Sequence, residues 1–304
     1  MRISTQILFE SGAARLGELQ SGLFRTQQQI SSGRRILTPA DDPVAAARAL
    51  DVTQTQSLNT QYGVNRMHAK NSLGEVEGVL SGVTELLQDV KTLTIAAGNG
   101  TLSDTERGFQ ATELSARFQE LLGLANTRDA TGNYLFSGFQ TNTPAFVQSA
   151  TGATYQGDLG QRLIQVDATR QMAASSPGQT VFQGGGQDVF QTLNNLITLL
   201  QTPVVTAADA ANLTAGLATA NGDLGLALDN VLTVRASVGS RLQELDSLDS
   251  AGEDRNLQYS QILSELQDLD YTKAITQLSQ QQLTLEAAQQ SFVKTSGLSL
   301  FDFI

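Results

Sequence analysis

FESGAARLGELQSGLFRTQQQISSGRRIL, residues 9–37, places Phe9, Leu16, Leu23, Ile30 and Leu37 seven residues apart, and YTKAITQLSQQQLTLEAAQQSF, residues 271–292, repeats the spacing with Tyr271, Leu278, Leu285 and Phe292. Such spacing gathers the side chains on one helix face, and an apolar face in water needs a partner helix. The opposite terminus offers one. These nine residues are therefore expected to form an assembly interface, with the rest of the chain inserted into a terminal helical pair. That layout suits a subunit of a long assembly better than an enzyme built around a cleft. Gln282 and Gln289 dilute one stripe, and Gln20, Gln27, Gln28 and Gln29 dilute the other. Helices this polar are poorly stable without packing, so both termini are expected to be mobile in the free subunit and to order together on assembly.

Working inward, SSGRRILTPADDPVAAARAL, residues 31–50, breaks the opening stripe. Asp42 can cap the next helix and Pro43 suits its first position, so both read as turn and cap residues. Asp41 and Asp42 as a catalytic carboxylate pair is the weaker reading, because adjacent side chains diverge. From about 58 to 97, Ala69, Val76, Val83, Val90 and Ala97 form one row, with Leu73, Leu80 and Leu87 widening it into a bundle-facing stripe. Asn99 and Gly100 end that helix, and Ser103 or Asp104 caps another from about 102 to 126. Helix resumes at 188–201 and, after Pro203, from about 207 to 248, where Leu217, Leu224, Val231, Val238 and Leu245 recur as in a coiled coil. A final helix is expected after Gly252.

Between 139 and 186 the texture changes. Gly, Thr, Ser and Pro punctuate β-prone runs such as ATYQGD, residues 153–158, and QRLIQVDA, residues 161–168. Strands of five or six residues are expected there. The fold class is thus mainly α with a small β insertion, an elongated helical bundle or coiled coil made by the paired terminal regions around a central β domain. The expected division is a terminal coiled-coil domain, 1–42 with 258–304, a helical rod, 43–138 with 187–257, and a β-rich domain, 139–186.

Composition excludes several function classes. The chain of 304 residues has no cysteine, one histidine, 6% aromatic residues and a formal charge of -11. Without thiols or a histidine cluster, neither a thiolate nucleophile nor a zinc site is expected. The acidic balance argues against nucleic acid as a partner, since phosphate binding needs a concentrated basic patch. No run approaches a membrane span and the first ten residues lack the apolar core of a secretory signal, so neither membrane insertion nor a cleaved signal is expected. His68 lies on a polar helix edge with no orienting partner motif, and the abundant carboxylates read as solvated. Catalytic, cofactor and metal residues are accordingly expected to be none. Asn99-Gly-Thr101 and Asn212-Leu-Thr214 fit a glycosylation pattern and receive no role.

The stretches MRISTQILFE (1–10), ISSGRRILTPADDPVAAARAL (30–50), ANTRDATGNYLFSGFQTNTPAF (125–146) and the segment from Tyr271 to Ile304 ending SLFDFI resemble the flagellin family. Within that family GNYLFSGFQTNTPAF and SLFDFI resemble the hook-associated type 3, or hook–filament junction, proteins, whereas 147–186 aligns poorly. The resemblance implies a homo-oligomeric ring linking hook-associated protein type 1 to flagellin, with the terminal helices lining the inner tube and the β segment facing outward. It also implies export through the type III apparatus without a cleaved signal, escorted by a flagellar export chaperone, to an extracellular place on the bacterial flagellum. Leu298, Leu300, Phe301, Phe303 and Ile304 are either a chaperone site or a contact within the subunit or with a neighbour. A flagellin-type filament subunit and a cytoplasmic coiled-coil scaffold are the alternatives.

Overall fold

In a computed structural model the chain is described over residues 2–297. Its elements run α1 (Arg2–Ser32), α2 (Pro43–Ala97), α3 (Asp104–Ala125), β1 (Phe146–Ser149), β2 (Gly152–Tyr155), β3 (Leu163–Asp167), β4 (Arg170–Ala173), α4 (Gly178–Phe182), α5 (Val189–Gln201), α6 (Ala207–Gln267) and α7 (Tyr271–Gly297). They divide into a central unit, Asn59–Glu253, and a terminal unit made of residues up to Leu58 with those from Asp254 onward.

The central unit holds the core. Ala69, Leu73, Val76, Leu80, Val83, Leu87, Val90 and Ala97 of α2 are all buried, as are Leu217, Leu224, Val231, Val238 and Leu245 of α6. Each set repeats at helical period, so its helix buries a continuous stripe. Helix α3 packs against α5. It starts in a capping box, in which the Glu106 N–H donates to Ser103 Oγ and the Ser103 N–H donates to the Glu106 carboxylate. Those two bonds satisfy donors that a helix start otherwise leaves open.

The segment expected to be strand-rich forms two separate antiparallel hairpins, β1–β2 and β3–β4, whose strands are four or five residues long. Phe146 opposes Tyr155 in the first, and a bulge interrupts the second between Gln165 and Asp167. Their apolar side chains share one core with the helices. Phe146 stands 4.8 Å from Phe190, 5.2 Å from Tyr155 and 5.4 Å from Phe182, ring centre to ring centre. Phe118 and Phe136 extend the cluster through Phe190 and Phe182. Tyr155 Oη lies 2.9 Å from the Phe136 carbonyl and 2.7 Å from that of Asp158, and burial pushes its pKa up to about 12. The phenol therefore stays protonated and can donate to these carbonyls.

Polar contacts hold the second hairpin. The Arg66 guanidinium is buried, pairs with Asp249 at 2.5 Å and donates to the Val166 carbonyl at 3.0 Å. Space for it comes from Gly252, where a Cβ would lie 2.5 Å from Arg66 Nη2. This contact corrects the expected helix break after Gly252: α6 runs unbroken to Gln267. The glycine there makes room for a neighbour, and the interior position costs only about 1 kcal/mol of helix propensity. The actual break falls at 268–270.

Truncating Phe146 to Ala is expected to cost about 3–5 kcal/mol in urea unfolding, because three ring contacts and their buried volume are lost. Val205, 84% exposed, serves as the control. Its change to Ala is expected to stay within about 0.5 kcal/mol, and equal costs at the two sites would contradict a core built on Phe146.

Candidate assembly interface

In the terminal unit α1 packs on α7. The Phe9 and Phe292 rings meet at 5.1 Å, and Gly12 lets the Phe292 ring approach to where a Cβ would be 2.8 Å away. Farther along, Gly22 lies near Gln281, and Gly33, at φ +69°, lies against the Tyr271 hydroxyl. Rising numbers on one helix meet falling numbers on the other, so the pairing is antiparallel.

Along this seam Leu16, Leu23, Ile30, Leu278, Leu285 and Phe292 are half-buried, while Phe9 and Tyr271 are 55% and 50% exposed. Leu37 is a correction to the expected stripe. Helix α1 ends at Ser32, and Leu37 sits in the following turn, its N–H donating to Asp41 at 2.9 Å. The left-handed Gly33 and the polar Arg34–Arg35 pair stop the helix before the fifth heptad position is reached. Leu298, Leu300, Phe301, Phe303 and Ile304 lie outside the described residues.

Hydrogen bonds fix the register where the two connections meet. The Arg35 N–H donates to the Gln267 carbonyl at 2.7 Å and the Leu269 N–H to the Gly33 carbonyl at 3.0 Å, which makes a short antiparallel bridge at Arg34 and Asp268. Arg35 Nη2 also donates to the Leu266 carbonyl at 2.8 Å, closing the end of α6. Asp42 Oδ1 accepts from the Ala45 N–H at 3.0 Å, with Pro43 first in α2, and Asp270 accepts from the Lys273 N–H at the start of α7. Asp41 and Asp42 thus hold turns and caps, and each also pairs with an arginine, Arg25 and Arg35 respectively.

Among the described apolar residues of this unit only Ala45, Ala49 and Ala274 are fully buried. A helical unit of this size gains little from three methyl groups at ~25 cal/mol per Å² of apolar area. Meanwhile Ile7, Phe24, Ile275, Leu283 and Val293 of α1 and α7 are 53–70% exposed. The heptad reading missed this second set because it lies off the repeating row. Its signal is the presence of large apolar residues at positions a two-helix seam leaves in water. A groove of about 400 Å³ between α1 and α7, lined by Gly22, Thr26, Ala274 and Gln281 among others, marks where the seam stays open.

The fold and the exposed terminal seam define a flagellin-class helical subunit, and the profile of the bacterial flagellin N-terminal helical region matches residues 3–141. Flagellar hook-associated protein 3 of Escherichia coli K12 is 36% identical over 315 residues, covering 99% of each chain, and that of Salmonella typhimurium LT2 matches at the same identity and coverage. A solved structure of a putative flagellar hook-associated protein from Vibrio parahaemolyticus superposes with a TM-score of 0.69 at 26% identity, covering 75% of this chain and 100% of that one. The chain belongs to the flagellar hook-associated protein 3 family. It is a structural protein of the flagellum and not an enzyme.

The turn carries a pH dependence whose sign follows from its carboxylates. N–H donation from Thr38 and Leu37, helped by Arg25, holds Asp41 below its usual 3.8, and the Ala45 N–H with Arg35 does the same for Asp42. Groups whose folded pKa is lowered add stability above their unfolded value and lose it as pH falls through the lowered one. Protection of the Leu37, Thr38 and Ala45 amides in hydrogen exchange is therefore expected to hold at neutral pH and to fall below about pH 4. Asp41→Asn should weaken Leu37 and Thr38 at neutral pH and flatten their response to acid. An unchanged acid profile in that variant would exclude Asp41 as the cause.

Proposed function

We propose that the chain forms a ring of identical subunits at the junction of hook and filament, joining hook-associated protein type 1 on one side to flagellin on the other. The observation that carries this reading is the terminal unit, whose paired stripes remain half-exposed and whose core, among the described residues, is three alanines. Helices left in this state gain most of their burial from neighbouring copies and from the proteins stacked above and below. The full-length likeness to relatives named flagellar hook-associated protein 3 supports the same place. In this reading 1–42 with 258–304 is the assembly domain, 43–138 with 187–257 the helical rod, and 139–186 the outward-facing β domain. Phe9, Leu16, Leu23, Ile30, Tyr271, Leu278, Leu285 and Phe292 contribute to the interface.

Export without a cleaved signal through the type III apparatus belongs to the same proposal, with a flagellar export chaperone engaging Leu298, Leu300, Phe301, Phe303 and Ile304. Deleting 298–304 is expected to weaken chaperone binding in a titration of the full chain against the truncated one. Equal affinities would exclude the tail from that contact.

Immunogold microscopy of isolated flagella with antibody to 139–186 tests the location. One labelled band between hook and filament is expected. Label along the whole filament would make the chain a filament subunit, and flagella without label would return it to a cytoplasmic scaffold.

A further inference from the structure

Asn-Gly occurs twice in the chain, at Asn99–Gly100 and at Asn221–Gly222. The two sites sit in opposite surroundings. Asn221 and Gly222 lie inside α6, where the helical ladder fixes the backbone. Asn99 and Gly100 lie in the exposed connection between α2 and α3, and a Cβ built on Gly100 would meet nothing within 4 Å. Among the described residues the Gly100 N–H has no hydrogen-bond partner.

The side chain at Asn99 is also held in a particular way. Its Oδ1 accepts from the Thr101 N–H at 3.2 Å and from the Thr101 hydroxyl at 2.9 Å. Two donors on one carboxamide oxygen draw electron density from Cγ and fold the side chain back over the following peptide. They also stand where negative charge would develop on Oδ1 during attack at Cγ, the arrangement that stabilises an oxyanion.

We propose that Asn99–Gly100 is a self-modifying site, at which the Gly100 nitrogen attacks Asn99 Cγ with Thr101 stabilising the oxygen. Gly100 N loses its proton to solvent base as the N–Cγ bond forms. The Cγ–Nδ2 bond then breaks, and the nitrogen leaves as ammonia after taking a proton from solvent. Water opens the resulting five-membered imide at either carbonyl, giving aspartate or isoaspartate, so the net change is water consumed and ammonia released. Gly100 is suited to the attack because it presents no Cβ to the incoming side chain. The product carries a new negative charge just past the last turn of α2, where helix carbonyls already concentrate negative potential. Its isoaspartyl form also lengthens the backbone of the connection. Thr101 is a positioning residue for this step.

The full-length protein, aged at 37 °C in mildly alkaline buffer, provides the test. Trypsin releases residues 92–107, in which Asn99 is the sole asparagine, so mass spectrometry of that peptide with an isoaspartyl methyltransferase assay reads the site directly. Asn99 is expected to convert at least about tenfold faster than Asn221, since the helix must open locally before Gly222 can attack. Thr101→Val, which keeps the N–H and removes the hydroxyl, should slow Asn99 by roughly five- to tenfold, with Thr101→Ser restoring the rate. In urea the two sites should converge. Equal rates at Asn99 and Asn221 in the folded chain would overturn the proposal, and so would an Asn99 rate unaffected by Thr101→Val or one as fast in urea as in the folded protein.

Discussion

Two ends of one chain must find each other, and the turn that joins them does so through backbone groups. Arg35 reaches the Leu266 carbonyl across 231 residues of sequence. Closing a flexible loop of that length costs about 5 kcal/mol plus a constant. No surface contact in the turn returns so much, since exposed ion pairs such as Arg35 with Asp42 are weakened by solvent screening. Closure depends on the central unit. There Asn59 Nδ2 donates to the Gly252 carbonyl at 2.8 Å, so the chain positions leading to both ends are already adjacent once that unit has folded. The bridge of Gly33 and Arg35 with Gln267 and Leu269 then sets register at small additional entropy.

Register matters because the stripes it aligns are only half used. A seam of fully buried leucines would be satisfied within one subunit and would offer neighbours nothing. Here Leu16, Leu23, Leu278 and Leu285 are half-buried, and Gln281, facing Gly22, keeps a buried carboxamide oxygen without a partner. Glutamine in a seam weakens the pair but discourages slippage, because a shifted register would bury more unpaired amide. The pairing is thus specified by turns and caps while its apolar area remains available.

Much of the helical architecture was legible in the sequence because periodicity is a local signal. Every residue of the rows Ala69 to Ala97 and Leu217 to Leu245 is buried, and Ser103 caps α3. What the sequence did not disclose was long-range. Phe118, Phe136, Phe146, Tyr155, Phe182 and Phe190 are too far apart in the chain to form any repeat, yet most of the ring contacts of the core join them. Aromatic residues make up only 6% of the chain, and the few rings are concentrated where short hairpins meet helices. Gly252 misled for a related reason. A glycine between helical runs reads locally as a stop, and only the Arg66 guanidinium beside it shows why the helix continues. In the terminal unit α1 runs through Ile30 but ends at Ser32, so Leu37 falls past a stop that heptad counting alone cannot see.

These two kinds of packing divide the work of the molecule. A core of interlocked rings and aliphatic rows gives the central unit stability that does not depend on concentration. The terminal unit, with Ala45, Ala49 and Ala274 as the buried apolar residues among those described, has little apolar burial of its own, and any partner that binds only its ordered form would stabilise it by mass action. Apolar side chains such as Phe24 and Leu283, left in water by the α1–α7 pair, are the opposite of the interlocked rings of the central core.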